Sequence, residues 1–168
     1  MARILITGAS GFIGGYLVNQ ALENGHEVIA AVRPRSDRSR LTDPRLKLLD
    51  FSLNHVEEIT ARLKSEGRFD WVVHNAGVTK ALSREGYREG NTENTRRFAM
   101  ALQNAGWLPD KFLFVSSLAS LGPAPAESPK IHAGQTPQPI TPYGESKRET
   151  ELFLESLPSD FPWVVVQP

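Results

Sequence analysis

Tyr143 and Lys147 stand four positions apart in Pro142-Tyr143-Gly144-Glu145-Ser146-Lys147. On a helix that spacing places both on one face, with Cβ atoms roughly 5–6 Å apart. A phenol with a reference pKa of ~10 carries protons poorly near neutrality, and a neighbouring ammonium favours its ionised form. The pair therefore reads as an acid/base tyrosine tuned by Lys147. Upstream, Val115-Ser116-Ser117-Leu118 puts hydroxyls just past a candidate strand. Ser117 is expected to hydrogen-bond a substrate oxygen while Tyr143 moves the proton.

A second constellation lies at the other end of the chain. Thr7-Gly8-Ala9-Ser10-Gly11-Phe12-Ile13-Gly14 carries glycines at i, i+3 and i+6 directly after an apolar run. Glycine allows the tight turn and lets backbone approach a pyrophosphate, while the following helix offers free N–H groups and a positive dipole end. Gly8, Ser10, Gly11, Phe12, Ile13 and Gly14 are thus expected to cradle a dinucleotide, with Lys147 also gripping a cofactor ribose. Alone, Tyr143 and Lys147 could be an exposed helix pair, and Ser116-Ser117 an ordinary strand end. Together with the cradle they form one reading.

Nineteen positions beyond Gly14, where a site for unphosphorylated ribose usually carries an acid, stands Arg33. A guanidinium pairs with a 2′-phosphate and cannot accept from a 2′-hydroxyl, so NADP is expected in preference to NAD. The alternative is a solvated basic loop, since Arg35, Arg38 and Arg40 are close by.

These residues need a scaffold. Short aliphatic runs at Arg3–Thr7, Val28–Arg33, Leu46–Asp50, Trp71–Asn75, Phe112–Ser116 and Trp163–Val166 predict strands covered on both faces. Between the first two, Phe12, Ile13, Tyr16, Leu17 and Ala21 share one helical face, and Asn24-Gly25 stops the helix. Leu53–Lys64, Asn91–Asn104 and Tyr143–Leu157 are further predicted helices. The alternation implies an α/β doubly wound parallel sheet, a three-layer Rossmann fold. Leu121–Thr141 is rich in proline and predicts a long loop, either functional or a plain surface excursion.

Composition narrows the function classes. The 168 residues hold 19 basic and 19 acidic side chains and no cysteine. Balanced charge gives no field to draw the chain onto nucleic acid or a membrane surface, and without cysteine there is neither disulfide nor thiolate chemistry. The amino terminus lacks a signal-peptide pattern, and no apolar run approaches membrane-spanning length. A cytoplasmic protein acting on a small molecule is expected. His26, His55, His74 and His132 are scattered without the spacing of a metal site, and His74 reads as a packing residue at a strand end.

Over essentially its whole length the sequence resembles the extended short-chain dehydrogenases/reductases, the epimerase/dehydratase type. Thr7–Gly14 resembles that family's cofactor motif, Asp50-Phe51-Ser52 its adenine-contacting motif, and Asp70–Gly77 its fourth-strand motif, ending in Asn75-Ala76-Gly77. Ser116–Gly122 and Pro142–Lys147 with Glu151 are similar to its serine and tyrosine–lysine motifs. The resemblance implies Ser117, Tyr143 and Lys147 as catalytic residues and Asp50, Phe51, Asn75, Ala76 and Gly77 as further cofactor contacts. It implies hydride transfer between NADP or NAD and a carbinol or carbonyl carbon, in a reductase acting on a ketone or in an epimerase or dehydratase of nucleotide sugars. A non-catalytic dinucleotide sensor is the reading from another class. It implies, too, a loop before Tyr143 that helps cover the substrate, and homodimers formed through helices that include the Tyr143 segment. Two departures stand out: Asn91-Thr92-Glu93-Asn94-Thr95 keeps only the ends of the fourth-helix motif, which puts a supporting role for Asn91 in doubt, and Gln167 replaces a common basic residue. Because family members continue well beyond this length, residues 1–168 are expected to be the dinucleotide-binding part of a longer enzyme, ahead of its substrate-binding part.

Overall fold

The apolar runs pair side by side. In a computed structural model, which describes every residue except Ser128 and Ala133, β1 (Arg3–Thr7), β2 (Glu27–Val32), β3 (Lys47–Asp50), β4 (Trp71–His74), β5 (Lys111–Val115) and β6 (Trp163–Val166) form one sheet. Every pairing is parallel and the order is β3-β2-β1-β4-β5-β6. Because strand side chains alternate faces, Leu5, Ile29 and Ala31 enter one core while Ile4, Ile6, Val28, Ala30 and Val32 enter the other. The first core is closed by α2 (Val56–Glu66), α4 (Asn94–Asn104) and α5 (Pro142–Glu155), the second by α1 (Phe12–Glu23) and Leu41. Three layers result, and the strand order reverses between β1 and β4. Ligands of such sheets bind beyond the carboxyl ends at that reversal.

Strand bounds agree with the predicted ones to a residue, the usual uncertainty of element ends. Other expectations need correction. On α1 the buried positions are Gly14, Gly15, Val18 and Leu22, while Phe12 and Tyr16 are 68% and 66% exposed. The helix must bring its glycine face against the sheet to let backbones approach, which turns the aromatic face outward. α2 begins at Val56 because Ser52 Oγ accepts from Asn54 N–H at 3.2 Å and holds the preceding residues in a bend. An extra helix, α3 (Arg84–Arg88), runs through a π-helical turn (Glu89–Glu93) into α4, so the predicted start at Asn91 lies inside a longer helical rod.

The 121–141 stretch forms no helix or strand among its described residues; Ser128 and Ala133 lie outside them. Its base is closed: Gln138 N–H donates to the Leu121 carbonyl at 2.9 Å, and Gln135 Nε2 donates to the Pro123 carbonyl at 3.1 Å. Gly122 has φ of 80°, and a Cβ there would lie 2.0 Å from the Gln138 carbonyl oxygen. Among the described residues no helix is long and apolar enough to cross a membrane.

Candidate functional site

A cleft of about 580 Å³ opens at the carboxyl ends of β1 to β4, and Gly8, Ser10, Gly11, Phe12, Ile13, Arg33, Phe51, Asn75, Ala76 and Gly77 all line it. Its floor is the glycine turn. Gly8 has φ of 66°, and a Cβ on it would sit 2.7 Å from the Asn75 and Ala76 backbone. A Cβ on Gly14 would lie 2.1 Å from the Gly8 carbonyl oxygen. Side chains at either position would fill the space that backbone needs, so the turn fits a close-lying pyrophosphate. Gly11 N–H donates to Gly8 O at 3.1 Å, and the Asn75 amide donates to the same oxygen at 3.2 Å, fastening the turn to the end of β4.

Beneath this turn runs a buried hydrogen-bond chain that sequence reading missed. Ala76 N–H donates to Thr7 Oγ1 at 3.1 Å, and Thr7 Oγ1 lies 2.8 Å from His74 Nδ1. His74 Nε2 is 3.0 Å from Thr95 Oγ1, whose own proton goes to the Asn91 carbonyl at 2.7 Å. Because the Thr95 proton is committed, that oxygen must accept from Nε2–H, which leaves Nδ1 as the acceptor of the Thr7 hydroxyl. The network thus selects one neutral tautomer. Burial, with the positive Lys147 adding to it, pushes the imidazole down to about 3. His74 does pack, stacking on Phe98, Phe112 and Phe114, but it also ties β1 and β4 to α4.

At the outer end of the cleft Arg33 and Ser36 face Phe51, Ser52, Leu53 and Asn54. Arg38 is ion-paired with Asp50, whereas among the described residues no carboxylate pairs with Arg33. Asp50 therefore belongs to this corner as a partner of Arg38 rather than as part of the cleft lining.

Asn91 is fully integrated, contrary to the doubt raised by its altered motif. It is 1% exposed; its Oδ1 accepts from Val78 N–H at 2.7 Å, and its Nδ2 donates to Val78 O at 3.1 Å and Ser146 Oγ at 2.9 Å. Ser146 Oγ in turn donates to the Tyr143 carbonyl at 2.7 Å. One side chain thereby joins the loop after β4 to the turn of α5 that carries Tyr143. The surviving asparagine was the only sequence signal of this role.

The α5 helix starts where it must. Thr141 Oγ1 accepts from Gly144 N–H at 3.0 Å and Pro142 occupies the first turn. A Cβ on Gly144 would lie 2.2 Å from Ala119 O, so this glycine lets α5 lie against the turn after β5. The Ser117 hydroxyl is near enough to Tyr143 to act on the phenol, and the Lys147 ammonium lies 6.0 Å from the Tyr143 ring centroid. Ser117, Tyr143 and Lys147 are therefore brought together. The phenol pKa, expected to fall, is raised: burial is the larger effect and the Ser117 hydroxyl only opposes it. Lys147 points elsewhere, donating to Val115 O at 2.9 Å and lying over Phe114 at 4.6 Å.

Lys147 is 4% exposed, and burial lowers it to about 8 although Glu151, one turn on, opposes the shift. Glu151 is itself buried, accepting from Ser116 Oγ at 2.5 Å, Ser120 Oγ at 2.7 Å and Gln167 Nε2 at 3.0 Å. The glutamine thus serves the carboxylate with a neutral donor where a basic residue is common. A folded lysine that sheds its proton near 8, against 10.5 in the unfolded chain, binds fewer protons between those values, so stability rises with pH across that window. We expect Lys147→Met to be more stable than the parent at pH 7 by on the order of 2 kcal/mol and to lose that slope, as read by urea unfolding at pH 7 to 10.

Comparison with known proteins fits this geometry. Residues 4–166 match the NAD dependent epimerase/dehydratase family. The UDP-glucose 4-epimerase of Neisseria meningitidis serogroup C is 30% identical over 99% of this chain and 51% of its own length. That of Azospirillum brasilense is 31% identical over 90% of this chain and 43% of its own. Bordetella bronchiseptica WbmG, solved in complex with NAD and UDP, is 27% identical, covering 99% of this chain and 52% of that one with a TM-score of 0.77. The chain spans about half the length of these curated relatives.

Proposed function

The chain belongs to the NAD-dependent epimerase/dehydratase family, and from that premise we propose that it is the dinucleotide-binding part of an enzyme that moves hydride to and from a carbinol carbon of a nucleotide sugar. The observation that carries this reading is that Lys147 lies near both the Tyr143 ring and Gly77, a residue of the cleft wall, in a cleft whose glycine turn a side chain would fill. Similarity to UDP-glucose 4-epimerases supports a sugar nucleotide as the substrate class.

Bound nicotinamide supplies the acceptor and donor of two electrons. Ser117 orients the substrate oxygen. Tyr143 takes the hydroxyl proton as the carbon gives up hydride and returns it when hydride comes back, so the cycle closes with no net redox change. Burial favours the neutral phenol at rest, so Tyr143 must first release that proton to solvent to act as the base, and the positive charge of nearby Lys147 would favour the phenolate so formed. Incubating the longer enzyme that carries this part with NAD or NADP and UDP-glucose, with the sugar followed by NMR, tests this reading. Interconversion at the sugar carbon without accumulation of reduced cofactor, cut roughly 10²–10⁴-fold by Tyr143→Phe, supports it; interconversion that Tyr143→Phe leaves intact overturns it.

One observation favours a second reading, a reductase consuming NADPH: Arg33, which no carboxylate pairs with among the described residues, beside Ser36 at the outer end of the cleft. For either reading we propose that NADP is preferred to NAD. Titration should show NADPH binding about 10-fold or more tighter than NADH, and Arg33→Ala should erase the difference. Equal affinities in the parent would retire Arg33 as a selector.

A further inference from the structure

The helix that sequence reading missed bears directly on Tyr143. α3 is capped by Ser83, whose Oγ accepts from Gly86 N–H at 3.1 Å, and it is fastened to α5 twice: Arg84 is ion-paired with Glu145, and Arg88 Nε donates to Glu149 at 3.0 Å. Between these fastenings the Tyr87 ring meets the Tyr143 ring edge-on, with centroids 6.2 Å apart and planes at 61°. Tyr87 stands one helical turn before Asn91, which already ties the same helical rod to Ser146 and so to the Tyr143 backbone. Two glycines allow α3 to lie this close to the loop after β4: a Cβ on Gly90 would come within 2.4 Å of Val78 Cγ2, and one on Gly86 within 3.1 Å of Ala81 Cβ.

We propose that Tyr87 is a positioning residue for Tyr143, holding the phenol ring in the orientation in which its hydroxyl meets Ser117. This rests on the reading of Tyr143 as the acid/base. Three sets of groups then define the phenol: Ser117 at the end of β5, Lys147 on its own helix, and Tyr87 from α3. An edge-to-face contact fixes a ring's tilt as well as its distance, which a merely apolar neighbour does not. It also shields one part of the ring from water, in keeping with burial as the main influence on the phenol. The tyrosine hydroxyl of Tyr87 is not needed for this, so phenylalanine should serve and alanine should not.

The chain has three tyrosines, which makes the test direct. Protein labelled with ¹³Cζ-tyrosine gives one signal each for Tyr16, Tyr87 and Tyr143, assigned with phenylalanine variants and titrated from pH 7 to 12. In Tyr87→Phe the Tyr143 signal and midpoint should match the parent. In Tyr87→Ala the midpoint should fall by about half a pH unit or more as water reaches the ring, and the signal should broaden. Arg88→Ala, which leaves the aromatic contact in place but loosens α3, should give a smaller change in the same direction. An unmoved Tyr16 signal, from the remote α1, shows in each case that the fold is intact. If Tyr87→Ala leaves the Tyr143 signal and midpoint unchanged, or if Tyr87→Phe shifts them as far as alanine does, the proposal is overturned. In the sugar-conversion assay Tyr87→Ala should lower kcat more than it raises KM, with activity restored by phenylalanine. If the NMR changes occur while the longer enzyme that carries this part converts no substrate in parent or variants, it is the hydride-transfer reading that fails.

Discussion

Acidification should unfold this protein through His74. Its unfolded imidazole takes up a proton near 6.5, whereas the folded one is held down to about 3 by burial and by the nearby Lys147 charge. Between these values the unfolded state binds the additional proton, so stability falls as pH falls from about 6.5. At ~1.36 kcal/mol per pH unit of separation, the loss is on the order of 3 kcal/mol by pH 4 and roughly 4–5 kcal/mol in full. That is a large part of a domain's usual stability. The structural reason is the one-way chain from Ala76 N–H through Thr7, His74 and Thr95 to Asn91. A proton on Nδ1 would face the Thr7 hydroxyl and leave that hydroxyl's own proton without its acceptor. His74→Gln cannot titrate. Urea unfolding of parent and variant from pH 7 to 4 should show the two curves converging, because carboxylate titrations are common to both. Parallel curves would mean that His74 does not govern the acid limb.

The second large effect is expected at Gly14. Alanine there would bring its Cβ 2.1 Å from the Gly8 carbonyl oxygen and 2.7 Å from Ala9 Cα, and these neighbours are backbone that cannot swing aside. Either α1 moves off the sheet or the phosphate turn opens, and both are costly in a close-packed interior. A loss of roughly 3 kcal/mol or more is expected for Gly14→Ala, together with loss of dinucleotide binding. The adjacent Gly15 supplies the control. Its Cβ would meet only the Arg40 side chain at 4.0 Å, so Gly15→Ala should be stabilising by about 0.5–1 kcal/mol through helix propensity. Thermal melts of the two variants should therefore move in opposite directions. Matching shifts would show that the cradle has room for a side chain at Gly14.

These two positions illustrate what local sequence could and could not disclose. The glycine triplet, the Tyr143–Lys147 spacing and the Ser117 strand end were legible because each feature is complete within a few residues. The strands were legible because both cores demand near-continuous apolar runs. The face of α1 was misjudged because apolar periodicity points Phe12 and Tyr16 inward, whereas backbone approach at Gly14 and Gly15 outweighs it and leaves both aromatics exposed. Helix α3 was invisible because two glycines and several charges, Arg84-Glu85-Gly86-Tyr87-Arg88-Glu89-Gly90, read as poor helix. Its ion pairs reach residues some sixty positions away on α5, and tertiary contacts overrule propensity there. The role of His74 was hidden for the same reason: its partners come from β1 and α4. The upward shift of the Tyr143 phenol was missed because spacing shows that a lysine is near but not how deeply the pair is buried or where the ammonium points.

The cleft at the carboxyl ends of β1 to β4 is proposed as a nicotinamide-dinucleotide site. The direct measurement is a backbone amide NMR titration of the chain with NADPH. The predicted result is saturable shifts concentrated at residues 8–14, 33–36, 51–54 and 75–79, with residues around Asn19, Thr42 and Arg45 on the far side of α1 unmoved. An unchanged spectrum at saturating nucleotide, or shifts confined to positions outside the cleft, would contradict it.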